Sequence, residues 1–117
     1  MILTLTLAFE GLAGNEARDA DEEDIQRLVS RAREGDRAAA GQLYRTFALR
    51  TFRAIRPLCV DDAESEEVVQ ETFIKAFAAL GRYRRTRGAR FVTWLLTIAL
   101  NTARSRLRRR KATVPTE

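Results

Sequence analysis

Three observations predict an all-α fold, a compact bundle of three to four helices. Apolar residues recur at three- and four-residue spacing in four separate segments. Gly35, Pro57 and Gly81 fall between those segments, where helices stop. The one alternating stretch, Leu3, Leu5 and Leu7 among threonines, has no second strand to pair with. With 117 residues, 45% of them hydrophobic and only two prolines, the chain has the length and composition of one packed domain.

The opening MILTLTLAF is apolar but lacks a basic flank and meets Glu10, so it is too short to span a membrane and makes a poor signal peptide. Residues 1–20 are expected to be a loosely ordered leader, 21–111 the domain, and 112–117 the start of a linker or tail. The acidic run from Asp19 to Asp24 supplies a cap and a favourable first turn for a first helix. Ile25, Leu28, Val29 and Ala32 form its apolar stripe. Gly35 ends it, and Asp36 caps the next. The second helix buries Ala40, Leu43, Tyr44, Phe47, Thr51 and Ile55, and Pro57 ends it near Arg56. Asp61 and Asp62 open a third helix, with Glu64 at capping-box spacing. Val69, Phe73, Ala76, Phe77 and Leu80 are its core stripe and Gly81 closes it. Its opposite side carries Glu67, Glu71, Ile74 and Ala78, and an isoleucine on an acidic outer face suits either a protein contact or ordinary exposure.

The last segment organises the chain. Residues 82–111 hold eleven of the twenty-one Lys and Arg residues and no Asp or Glu, whereas residues 1–81 hold fifteen acidic residues against ten basic. Such asymmetry points to a polyanionic partner. In a helix from Phe91 to about Arg110, the residues Phe91, Trp94, Leu95, Ile98 and Thr102 make one stripe. Thr97, Asn101, Arg104 and Arg108 make a second, roughly 120° away by the 3.6-residue period. The first can pack while the second offers an amide and two guanidinium groups to phosphates and base edges. The plainer alternative is a core helix with a solvated cationic tail.

Histidine is absent and Cys59 is the only cysteine, which removes a disulfide framework, the usual zinc sites and histidine acid–base catalysis. No glycine loop cradles phosphates, so no enzyme, cofactor or metal is expected. A reducing, cytoplasmic setting fits, with Cys59 as a small buried residue.

The segments EGDRAAAGQLYRTF, SEEVVQETFIKAFAALGRY and FVTWLLTIALNTARSRLRRR, in this order and spacing, resemble region 2 of bacterial sigma factors of the sigma-70 family, within the extracytoplasmic-function (ECF) group. The resemblance covers about Asp24 to Lys111, and the core from Trp94 to Asn101 is its most specific part. It implies a transcription initiation domain that binds core RNA polymerase and recognises and melts the promoter minus-ten element by capturing non-template-strand bases. It assigns Glu67, Gln70 and Glu71, with Ile74 beside them, to the clamp helices of the largest polymerase subunit. It makes the loop from Tyr83 to Phe91, with Arg84, Arg85, Arg87 and Arg90, a pocket for a flipped-out base. Asn101 becomes a base-contacting residue, with Thr97, Arg104 and Arg108 on the DNA side. An anti-sigma factor is an implied partner.

Flipping a base costs a few kcal/mol, and aromatic faces return about 1–3 kcal/mol per stacked base. Tyr83 is the expected stacking residue, with Trp94 a buried anchor. The loop looks about two residues longer and more basic than is usual in the family. Leu96 stands where an aromatic is common and Ser105 where an aspartate is common, and the sequence ends at Glu117 without a region 4. An excised domain and a factor acting without region 4 are both compatible with that. Two other functions compete: a sigma-like decoy that sequesters an anti-sigma factor without reading promoters, and a non-specific basic nucleic-acid binder.

Overall fold

A computed structural model describes residues 21–85 and 89–113. The expected leader, the loop residue Arg87 and the last four residues lie outside that range. Among the described residues there are four α-helices and no strand: α1 (Glu22–Arg33), α2 (Arg37–Ile55), α3 (Asp62–Ala78) and α4 (Phe91–Thr113). Short 3-10 turns follow α2 at Arg56–Leu58 and α3 at Leu80–Arg82.

The stops and starts have local causes. Gly35 takes φ +99°, a left-handed conformation open to glycine at little cost, and its N–H donates to the Ala32 carbonyl. One residue on, the Asp36 side chain accepts from the Ala39 N–H at 3.1 Å. That bond, with Arg31 beside it, holds the Asp36 carboxyl below its usual range. Asp61 caps α3 by accepting from the Glu64 N–H at 2.9 Å, while the Glu64 carboxylate accepts from Val60 N–H at 2.7 Å. This is a capping box whose return bond falls one residue early. Pro57 tightens the end of α2 into the 3-10 turn.

Two expected boundaries are different. Asp21 stands at the N-cap of α1 but makes no side-chain capping bond. Gly81 does not terminate α3: the helix ends at Ala78, Ala79 is its C-cap, and Gly81 lies inside the following 3-10 turn without a positive φ. Arg33 of α1 donates to the Leu80 carbonyl there at 3.2 Å, so a tertiary contact supports the turn.

α2 is the central element, packing on α1, α3 and α4. It supplies Ala39, Leu43, Phe47, Ala48, Thr51 and Ile55 to the core, and Ala40 and Tyr44 are only partly buried. The Thr51 and Thr72 hydroxyls donate to carbonyls one turn earlier, which satisfies them inside an apolar interior. On α4 the buried face comprises Phe91, Val92, Leu95, Ala99, Thr102 and Ala103. At 100° per residue its centre is rotated by roughly 60° from the expected stripe. The helix packs against both α2 and α3, and the alanines at 99 and 103 allow close approach. Trp94 and Ile98 therefore sit at the edge of the interface rather than in its middle.

Candidate nucleic-acid interface

The helical period sorts the arginines of α4 into two groups. Arg106 and Arg110 point back onto α3, where Arg110 donates to Glu64 at 2.7 Å and Arg106 reaches Glu67 at 2.8 Å and Glu71 at 3.4 Å. Lys75 of α3 completes this seam, pairing with Glu71 at 3.2 Å and donating to the Thr102 hydroxyl at 3.1 Å. Arg104 and Arg108 lie on the other side with Thr97 and Asn101, and all four are exposed. Among the described residues no carboxylate pairs with Arg104 or Arg108, and Arg108 donates only to Ser105 Oγ. The stripe expected from spacing thus exists as an outward face carrying one amide and two cations without counter-ions.

The loop before α4 is organised by α1. Glu22, with only 15% of its side chain exposed, accepts from the Phe91 N–H at 2.9 Å and from Gln26 at 2.8 Å, and lies 3.7 Å from Arg90. It caps a helix far away in sequence, satisfying a donor that has no intrahelical acceptor. Gln26 also donates to the Tyr83 hydroxyl at 2.8 Å, and Arg33 donates to the Tyr83 carbonyl at 3.2 Å. Glu23 pairs with Arg85 at 2.9 Å, which raises the Arg85 pKa further above its usual range. Arg84 donates to the carbonyls of Gly81 and Tyr83. The two described ends of the loop are therefore tied to one turn of α1. The acids stand in the first turn of α1 as expected, and two of them also reach beyond it, Glu22 to α4 and Glu23 to the loop.

The aromatic residues are not where a stacking role needs them. Tyr83 is 3% exposed and Phe91 fully buried, with ring centroids 5.5 Å apart edge to face. In this conformation neither ring presents a face to an incoming base. Trp94 packs 4.9 Å from Tyr83 and 5.6 Å from Phe91 but is only partly buried. Tyr83 is thus a core residue, contrary to expectation, while Trp94 packs against the core as expected but keeps part of its surface accessible. Tyr83 follows a 3-10 turn that directs its ring inward, and the rotation of α4 leaves Trp94 at the margin, one i, i+7 step from Asn101. Lys75 and Arg82, absent from the sequence candidates, border a shallow depression floored by Ala78, Ala79 and Ile98. Their signal was weak, being two single cations on different turns.

On α3, Ile74 is 70% exposed, one of two large exposed apolar residues, with Val60, among the described residues. Glu67 is exposed and Gln70 and Glu71 partly so, so the four residues share one surface at helical spacing. Both glutamates are engaged by Arg106 from within the same molecule. No helix of the described residues is long and apolar enough to cross a membrane.

Comparison with known proteins accords with this geometry. The sigma-70 region 2 family profile matches residues 42–113. The RNA polymerase sigma-H factor of Pseudomonas aeruginosa is 38% identical over 86 residues, covering 74% of this chain and 44% of that protein. The ECF RNA polymerase sigma factor BldN of Streptomyces coelicolor is 34% identical over 85 residues, covering 73% and 32%. The chain thus spans less than half the length of either relative. An engineered region 2 of sigmaE, solved by NMR in complex with GTAAAA, superposes with a TM-score of 0.70 at 32% identity, covering 79% of this chain and 94% of that one. The four-helix architecture, the α4 signature and these matches agree: the chain belongs to the sigma-70 region 2 family, in its ECF group.

Proposed function

We propose that this chain is the promoter-reading domain of a sigma factor, docking on core RNA polymerase through α3 and capturing non-template-strand bases of the minus-ten element at the loop and the exposed face of α4. The observation that carries this is the outward stripe of Thr97, Asn101, Arg104 and Arg108, unneutralised on the helix that bears the family signature. A related region 2 bound to GTAAAA supports single-stranded DNA as the ligand.

The division of labour follows from chemistry. Arg104 and Arg108 bind phosphates and position the strand, with counterion release making affinity salt-dependent. Asn101 has one amide donor group and one acceptor, which can distinguish base edges. By resemblance to the family, Arg84, Arg85, Arg87 and Arg90 belong to the loop that forms the base pocket. Extruding a base costs a few kcal/mol, and without nucleotide hydrolysis that cost is offset only by tighter binding of the open strand. With Tyr83 and Phe91 in the core, Trp94 is the aromatic residue left to stack. On α3, Glu67, Gln70, Glu71 and Ile74 form the surface for the polymerase clamp helices. The function is binding without catalysis, in the cytoplasm, with an anti-sigma factor as a further partner. No observation favours the decoy.

The test is fluorescence anisotropy of this chain with a panel of single-stranded hexamers, GTAAAA and its scrambles among them, at several salt concentrations. Selective binding that weakens with salt is expected. Equal affinity for every hexamer would replace promoter reading with non-specific nucleic-acid binding.

A further inference from the structure

We propose that Glu22 and Glu23 of α1 tune DNA binding from outside the site: Glu22 holds Phe91 at the start of the helix that carries Asn101 and so supports discrimination, and Glu23 competes with phosphates for Arg85 and so lowers affinity for all strands alike. The inference rests on the promoter-reading function above and concerns two residues outside the loop and outside α4.

The two carboxylates are adjacent in sequence but differ in setting. Glu22 is mostly buried and accepts from two donors, the Phe91 N–H at 2.9 Å and Gln26 at 2.8 Å, with the Arg90 guanidinium 3.7 Å away. Its amide partner belongs to the first residue of α4, so Glu22 caps the helix that presents Asn101. Gln26 carries the same support to Tyr83, the residue at the other end of the loop. These contacts are sheltered and mutually consistent, and removing the acceptor would leave a partly buried N–H unsatisfied.

Glu23 is different. Its side chain is 62% exposed and that of Arg85 39%, so their 2.9 Å pair is wet, screened by salt and worth little. A weak, exposed pair does not hold a loop, but it does set a threshold. A phosphate that engages Arg85 must displace a carboxylate already there. That cost is common to every strand that engages Arg85, whether or not Asn101 and the α4 arginines also hold it. An internal acid thereby lowers the affinity of every strand that uses Arg85 by a similar factor, without altering which strand is preferred.

The two roles separate by substitution, measured with the hexamer panel across a salt series and with the thermal midpoint of each variant. Glu23→Gln is expected to raise affinity for scrambled hexamers about two- to five-fold, the scale of an exposed ion pair. The selective hexamer gains by a similar factor, and the salt slope steepens by about 0.7, one further phosphate contact on a single strand. Glu22→Ala is expected to lower discrimination between hexamers. Glu22→Gln, whose side-chain carbonyl still accepts from the Phe91 N–H, restores it. If Glu23→Gln matches wild type in affinity and slope, the pair is silent and that half of the inference is overturned. If Glu22→Ala lowers only the thermal midpoint, Glu22 is structural and that half is overturned. These outcomes are distinct from failure of the parent function, which is seen in wild type alone as absent selectivity. A wild type and variants that bind no hexamer overturn both.

Discussion

Tyr83 and Trp94 touch, with ring centroids 4.9 Å apart, yet it is Tyr83 that is buried and Trp94 that keeps part of its surface accessible. A tyrosine in a basic loop looks available for stacking, and a tryptophan on an apolar stripe looks buried. The 3-10 turn after α3 and the Gln26 hydrogen bond instead take Tyr83 into the core. Tyr83→Phe is therefore expected to cost about 1 kcal/mol of stability through the lost hydrogen bond, with oligonucleotide affinity unchanged. Chemical denaturation and anisotropy on the same variant check both halves. Asn101→Ala is expected to reduce discrimination between the preferred hexamer and its scrambles while leaving the fold intact, because the residue is exposed and packs against nothing in the interior. Unaltered discrimination would remove it from the reading site.

At the scale of the element, α4 is two helices in one. Its first half is a core helix on α2 and α3. Its second half runs past the core, held by Arg106 and Arg110 on the acids of α3, with Arg104 and Arg108 turned outward. Arg108→Ala is expected to weaken binding of all hexamers by a similar factor and to make the salt slope shallower by about 0.7. A loss confined to one sequence would contradict a phosphate role. The outer face of α3 pairs an exposed isoleucine with two acids already committed to Arg106. Ile74→Glu is expected to abolish association with core polymerase in a pull-down without lowering the thermal midpoint, since the side chain is 70% exposed.

At the scale of the whole molecule, the lopsided charge along the chain is partly cancelled in space. Arg85, Arg90, Arg106 and Arg110 of the basic segment meet carboxylates from α1 and α3. Of those left without a carboxylate among the described residues, Arg104 and Arg108 stand together on the outward face of α4. One acid opposes the fold. Glu66 is 8% exposed with Oε1 lacking a hydrogen-bond partner, and burial, then the neighbouring Asp62, push its pKa above the ordinary 4.5. Burial, with Glu66 nearby, also raises the Tyr44 hydroxyl. A carboxyl whose folded pKa is raised favours the folded state fully only below its unfolded value, and that contribution is lost as pH rises through the folded pKa. Glu66→Gln is therefore expected to raise the thermal midpoint at pH 7, with the difference from wild type vanishing below pH 4.5. Equal midpoints at both pH values would show that Glu66 is solvated.

Helix number and order, the caps at Asp36 and Asp61, the left-handed Gly35 and the parity of Thr97, Asn101, Arg104 and Arg108 were all legible in the sequence. Each depends on residues within about one or two helical turns of each other, where spacing and backbone chemistry suffice. The partners of Glu22 and Glu23, the burial of Tyr83, the rotation of α4 and the division of its arginines were decided only by tertiary structure. Each depends on a residue from another helix: Phe91 and Arg85 for the two glutamates, Gln26 for Tyr83, and the acids of α3 for Arg106 and Arg110. The sequence by itself determined where charge and apolar faces lie along each helix. Only packing decided which charges meet, because a helical period fixes the direction of a side chain on its own axis but not what stands opposite it.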